Sequence, residues 1–180
     1  MYTTYAPAVL CSGRVPEDAL QRGLSHTTDP CSGVTGGGCC TLPPMSEPRE
    51  SSPKTILITG ASSGLGAEMA RQFAARGYDL ALCARRTDRL QELAVEITAA
   101  HPRRRVEYLA MDVNDHDRVF EVFREFRALF GQLDRIVVNA GLGKGAPLGT
   151  GGFAANRETA MTNFVGALAQ TEAAMEGFRE

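Results

Sequence analysis

The chain has 180 residues, about one domain's worth at roughly 150 residues per domain. Hydrophobic residues make up 43% and charged residues 22%, ordinary values for a globular protein, and the formal net charge is −2. That balance excludes a strongly basic nucleic-acid binder, and no apolar run approaches the roughly 18 residues of a membrane helix.

Residues 1–52 are unlike the rest. They hold six of the nine prolines, six of the 19 glycines and four of the five cysteines. Pro30-Cys31-Ser32-Gly33, Gly36-Gly37-Gly38 and Pro43-Pro44 interrupt any helical or strand period. Such a segment buries too little apolar surface to offset its ordering entropy, so residues 1–52 read as a disordered extension and 53–180 as the folded domain. The leader has neither the basic and apolar regions of a secretory signal nor the Arg-rich, acid-poor composition of a transit peptide. Met45 stands as an alternative start. Cys11, Cys31, Cys39 and Cys40 include no Cys-x-x-Cys pair, and no metal site is expected. Without a signal peptide or a disulfide framework, the compartment reads as cytoplasmic.

From Lys54 the pattern alternates. Thr55-Ile56-Leu57-Ile58-Thr59, bounded by Gly60, reads as a buried strand. Leu65, Met69 and Phe73 form one helical stripe, with Gly77 placed to end it. Residues 78–84 read as the second strand. Leu90, Leu93, Ala94 and Ile97 mark a second helix, stopped by Pro102. Residues 106–111 make a third strand, after which Asn114 or Asp115 can cap a third helix. Val119, Val122, Phe123, Phe126 and Phe130 give that helix its apolar face, and Gly131 follows it. Residues 135–139 are the fourth strand, and a last helix begins near Asn156. Four apolar strands alternating with helices imply an α/β fold, a doubly wound parallel sheet of Rossmann type.

The first strand-to-helix turn carries chemistry. In Thr59-Gly60-Ala61-Ser62-Ser63-Gly64-Leu65-Gly66, Gly60 permits the turn, Gly64 removes a Cβ that would block a pyrophosphate, and Gly66 allows close helix–strand packing. The helix start offers unpaired N–H groups and partial positive charge to phosphates. The second strand ends at Ala84, with no acid for a ribose 2′-hydroxyl, and Arg85-Arg86 follows. A guanidinium forks onto phosphate, so the pair favours NADP over NAD, with Ser62 or Ser63 adding a hydroxyl. The six-glycine loop at residues 141–152 carries Lys144, read as a solvated lysine.

The Gly-x-x-x-Gly-x-Gly spacing of residues 59–66 resembles the cofactor fingerprint of the short-chain dehydrogenase/reductase family. Three further matches follow in that family's order. Asp112-Val113 resembles its adenine-contacting acidic pair, and Asn139-Ala140-Gly141 its Asn-Ala-Gly motif beside the cofactor. Asn163 resembles the helix asparagine that organises a proton relay. The resemblance runs over residues 54–180. It implies hydride transfer between a nicotinamide and a small carbonyl or alcohol substrate, with no nucleic-acid or membrane partner.

The resemblance also implies a serine, a tyrosine and a lysine four residues beyond that tyrosine, which lowers the phenol's pKa. Four residues after Tyr2, Tyr5, Tyr78 and Tyr108 stand Ala6, Val9, Leu82 and Asp112, and the only lysines are Lys54 and Lys144. The chain therefore reads as the cofactor-binding half, stopping before those residues and inactive alone. The family strand order would leave 3-2-1-4, with the fourth strand an open apolar edge. The final helix, with Met161, Phe164, Leu168 and Met175, would lose cover; in the family it commonly packs between subunits, which implies a homo-oligomeric parent. Two other readings remain: a non-catalytic dinucleotide-binding fragment, and a Rossmann-type interaction module.

Overall fold

A computed structural model describes residues 8–11, as backbone, and residues 53–179. Both stretches fall within one compact unit. In chain order the elements are β1 (Ala8–Cys11), β2 (Thr55–Thr59), α1 (Gly64–Ala75), β3 (Asp79–Ala84), α2 (Thr87–Ala100), β4 (Val106–Ala110), α3 (His116–Phe130), β5 (Arg135–Val138), α4 (Phe153–Ala160) and α5 (Gly166–Arg179). A π-helical turn, Met161–Val165, joins the last two into one rod.

The sheet order is β1-β5-β2-β3-β4. β2 pairs in parallel with β3 and β5, and β3 with β4. These four strands reproduce the expected parallel order. β1 is the difference: it runs antiparallel to β5, placing Ala8 opposite Val138 and Cys11 opposite Arg135. The sequence expectation left all of residues 1–52 without regular structure and β5 open. Over residues 8–11 the chain departs from it, because an apolar edge with unpaired N–H and C=O groups accepts any extended segment that reaches it. The remainder of the disordered-leader expectation lies outside the described residues.

Period-two alternation divides the sheet's side chains between two cores. Leu57, Ala81, Cys83, Ile136 and Val138 join α3 and α5 on one face. Ile56, Ile58, Leu80, Leu82 and Val137 join α1 and α2 on the other. Phe123 and Phe126 are fully buried in the first core, each contributing about 1.5–3 kcal/mol by leaving water. On α2 the expected Leu90, Leu93, Ala94 and Ile97 are the buried positions. On α1 they are Gly66, Ala67, Ala70 and Ala74. Small residues let α1 lie close to the sheet, while Leu65 is 59% exposed and Met69 and Phe73 are partly buried against the second core.

Candidate functional site: a cleft at the carboxyl ends of the strands

The glycine turn is held by backbone against backbone. Gly60 has φ +66°, and a Cβ there would stand 2.8 Å from Ala140 Cα. A Cβ on Gly66 would overlap the Gly60 carbonyl oxygen and approach Asn139 Nδ2 to 2.7 Å. Asn139 donates from Nδ2 to the Thr59 carbonyl at 3.0 Å. The Thr59 hydroxyl accepts from the N–H groups of Asn139 and Ala140, each at 3.0 Å. This fully buried threonine thus fastens the β5 end to the β2 end. Its role escaped the sequence reading, where a threonine at a strand end reads only as a strand former.

α1 starts at Gly64 with Ser63 as N-cap, without a side-chain cap bond and without an acidic residue in its first turn. Its first N–H groups are therefore left without a side-chain cap, as an anion-binding helix start requires. From across the turn, Arg86 Nη2 donates to Ser62 Oγ at 3.2 Å and to Ser63 Oγ at 2.8 Å. Arg85 is exposed and, among the described residues, makes no hydrogen bond or ion pair. The two arginines thus differ: Arg86 is tied to the serines, and Arg85 keeps all its donors.

Asp112 Oδ1 accepts from the backbone N–H and the side-chain amide of Asn114, at 3.0 and 3.1 Å. The carboxylate thus shapes its own turn. Asp115, the second of the two expected caps, closes α3 by accepting from Arg118 N–H. Asn114 instead reaches Thr162 Oγ1 at 3.2 Å, a tie across 48 positions with no local sequence signal. Val113 is buried, and a Cβ on Gly166 would lie 3.0 Å from its carbonyl oxygen.

Asn163 sits within the π-helical turn, a distortion common at functional sites. Its Oδ1 accepts from Leu142 N–H at 2.7 Å, and its Nδ2 donates to the Leu142 carbonyl at 2.8 Å. The carboxamide therefore clamps the loop after β5. A Cβ on Gly141 would stand 3.4 Å from Asn163 Oδ1. Lys144 forms an exposed ion pair with Glu158 at 3.2 Å.

These residues surround an open cleft of about 1290 Å³. All the sequence-predicted site residues line it except Gly64, which is exposed, and Gly66, which is buried in the turn. Asn114, Leu142 and Thr162 line it without having been expected as site residues. Cys83 borders it but is fully buried, and burial pushes its thiol pKa far up. Neither Tyr78 nor Tyr108 lines the cleft. Among the described residues, no group of three or more His, Cys, Asp or Glu is placed to hold a metal. No helix there is long and apolar enough to cross a membrane.

A family profile described as short chain dehydrogenase matches residues 54–180. An uncharacterised oxidoreductase of Mycobacterium tuberculosis is 57% identical over 125 residues, covering 69% of this chain and 49% of its own. The alcohol dehydrogenase of the archaeon Thermococcus sibiricus, complexed with 5-hydroxy-NADP, superposes with a TM-score of 0.66 at 34% identity, over 70% of this chain and 53% of its own. A metagenomic short-chain oxidoreductase in complex with NADP gives 0.63 at 30% identity, over 69% and 56%. The chain thus spans about half the length of the curated relatives it matches.

Proposed function

Because the chain belongs to the short chain dehydrogenase family of oxidoreductases, we propose that its cleft binds NADP, and that the whole protein moves a hydride between the nicotinamide and a small carbonyl or alcohol substrate. The carrying observation is the cationic wall beyond Ala84. No acid stands there to accept from a ribose 2′-hydroxyl, Arg86 is already spent on Ser62 and Ser63, and Arg85 has its fork unused. The two NADP-complexed neighbours support the same choice. The residues fit such a ligand in a second respect: the start of α1 has no side-chain cap, and it follows a turn where backbone crowding at Gly60 and Gly66 and a positive φ at Gly64 favour glycine.

When bound, the dinucleotide supplies the hydride-transfer chemistry. Gly60, Ser62, Ser63, Gly64, Leu65 and Gly66 would form the pyrophosphate cradle. Arg85 would bind the 2′-phosphate and Arg86 would set the serines. Asp112 and Val113 would border the adenine. Asn139, Ala140 and Gly141 would line the inner end of the cleft. Asn163 acts as a positioning residue through its clamp on Leu142. The polypeptide of 180 residues contains no Tyr-x-x-x-Lys, so by itself it is expected to bind cofactor without turning it over. The exposed stripe of Met161, Phe164, Leu168 and Met175 is proposed as the self-association surface of the whole protein, which would work in the cytoplasm.

The test is a titration of the chain with NADPH and NADH. NADPH should bind more tightly. Arg85→Ala removes a charged hydrogen bond of about 1.5–3 kcal/mol and should weaken NADPH roughly 10- to 150-fold, leaving NADH nearly unchanged. Equal weakening of both, or a native preference for NADH, would overturn the NADP assignment. Separately, NADPH oxidation with a panel of aldehydes and ketones should be undetectable. Turnover at ordinary enzyme rates, about 1–1,000 per second, would refute the predicted inactivity.

A further inference from the structure

We propose that Thr162 is a positioning residue for the base end of the cleft: through Asn114 its hydroxyl aims the Asp112 carboxylate, and so sets a preference for a purine that carries a 6-amino group. The proposal deepens the dinucleotide reading above and rests on it.

Thr162 lies in the π-helical turn and is only 8% exposed, yet it borders the cleft. Its Oγ1 meets both ends of one carboxamide, accepting from Asn114 Nδ2 at 3.2 Å and donating to Asn114 Oδ1 at 3.3 Å. Asn114 Nδ2 also donates to Asp112 Oδ1 at 3.1 Å, and the Asn114 backbone N–H donates to the same oxygen at 3.0 Å. A buried hydroxyl, a carboxamide and a carboxylate thus form one chain from the helical rod to the rim of the cleft. Asn114 is exposed, so water is at hand for its carboxamide, and one side-chain rotation would take Nδ2 away from Asp112. The Thr162 hydroxyl opposes that rotation. It is not needed to dock the rod on this turn. A Cβ on Gly166 would stand 3.0 Å from the Val113 carbonyl oxygen and 3.1 Å from Val113 Cγ2, so close packing already fixes the rod's place. What the hydroxyl adds is the orientation of Asn114.

The consequence falls on the second oxygen of Asp112. Oδ1 is taken by two donors, while Oδ2 has no hydrogen-bond partner among the described residues, and Asp112 lines the cleft. An ionised carboxylate only accepts, and the 6-amino group of adenine offers N–H donors. Such a bond is charge-assisted, and it weakens steeply as its angle closes. A carboxylate held in one rotamer presents Oδ2 in one direction. An untethered one divides its time among several and meets the amino group less often.

The test titrates the full chain with NADPH and with the NADPH analogue in which purine replaces adenine, so that only the 6-amino group is lost. The native chain should bind NADPH about tenfold or more tightly than the analogue, the effect of one charged hydrogen bond. Thr162→Val keeps the branched shape and removes the hydroxyl. It should lower the preference to about threefold or less by weakening NADPH, with the analogue nearly unchanged. Thr162→Ser keeps the hydroxyl and should retain the native preference. A role confined to holding the rod predicts otherwise: both ligands weaken together and their ratio stays. That result would overturn the proposal, as would a native chain that binds both ligands equally well.

A ligand-free readout separates the proposal from the dinucleotide reading. Three-bond couplings should show a single χ1 rotamer for Asp112 and Asn114 in the native chain and averaged rotamers in Thr162→Val. If the native chain binds no NADPH, the dinucleotide reading and the purine preference fall together, and the rotamers alone decide the positioning role. Rotamers unchanged by the loss of the hydroxyl would overturn that role. If Thr162→Val fails to fold, Asn114→Ala, at an exposed position, removes the same link. It should cause the same loss of preference, and an unchanged ratio there would overturn the proposal.

Discussion

The turn after β2 and the loop after β5 are both glycine-rich, and both border the same cleft, but they are held by different means. In the turn, backbone touches backbone: Gly66 lies under the Gly60 carbonyl, and Gly60 lies against Ala140. In the loop, side chains from the last helical rod do the holding. Asn163 grips Leu142 through both its N–H and its carbonyl. Asn156 Oδ1 accepts from Ala146 N–H at 2.7 Å. At Gly143, nothing lies within 4 Å of a Cβ position. A count of glycines therefore does not locate rigid structure; close approach does. The turn is built to hold one shape, whereas the first part of the loop, from Leu142 to Ala146, is held by two carboxamides, and its far end is packed by Gly152 against Ala146.

The largest effect expected from this contrast is at Gly66. A Cβ there must displace the Gly60 carbonyl or the Asn139 amide, and both are parts of the turn itself. Gly66→Ala should cost about 3 kcal/mol or more in denaturant unfolding, at the upper end of overpacking penalties. Dinucleotide binding should fall with it, since the same carbonyl shapes the cradle. A stability change below about 1 kcal/mol would mean the turn yields easily, and the contrast with the loop would collapse.

The sequence exposes the turn because its constraints are local. Seven positions and a strand–helix boundary suffice to recognise it, and the four apolar strands alternate at a period that needs no partner. What the sequence hides is non-local. Thr59 ties its hydroxyl to backbone 80 and 81 positions away. Thr162 meets Asn114 across 48. Ala8-Val9-Leu10-Cys11 is too short for its own period to declare a strand, and its pairing is set by an edge more than a hundred residues later. The first helix misleads for another reason: its large residues suggest the buried stripe, yet close approach to the sheet selects Gly66, Ala67, Ala70 and Ala74. The final helix begins at Phe153, three residues before the expected Asn156, with Asn156 spent on the loop.

A middle-sized effect is expected at Asn163. Asn163→Ala removes both bonds to Leu142 and should cost about 1–3 kcal/mol, taking roughly 0.5–1.5 for each partly buried hydrogen bond. The sharper readout is local. Exchange at the Leu142 amide should rise strongly, while the Ala140 amide, held by the Thr59 hydroxyl, should keep its protection. Equal loosening of both amides would show the turn and the loop to be one cooperative unit.

The smallest effect is expected at Gly143, and its sign is the informative part. Gly143 has no positive φ and no neighbour within 4 Å of a Cβ position. An alanine there meets no obstacle in the folded chain, while it narrows the conformations open to the unfolded one. Gly143→Ala should therefore stabilise the protein, by about 0.4–1 kcal/mol in denaturant unfolding. The same substitution at Gly66 removes stability, so two glycines on one cleft should respond in opposite directions. A loss of more than about 0.5 kcal/mol at Gly143 would mean that the loop packs more tightly than its clamps require, and that glycine is needed there for contact as it is in the turn.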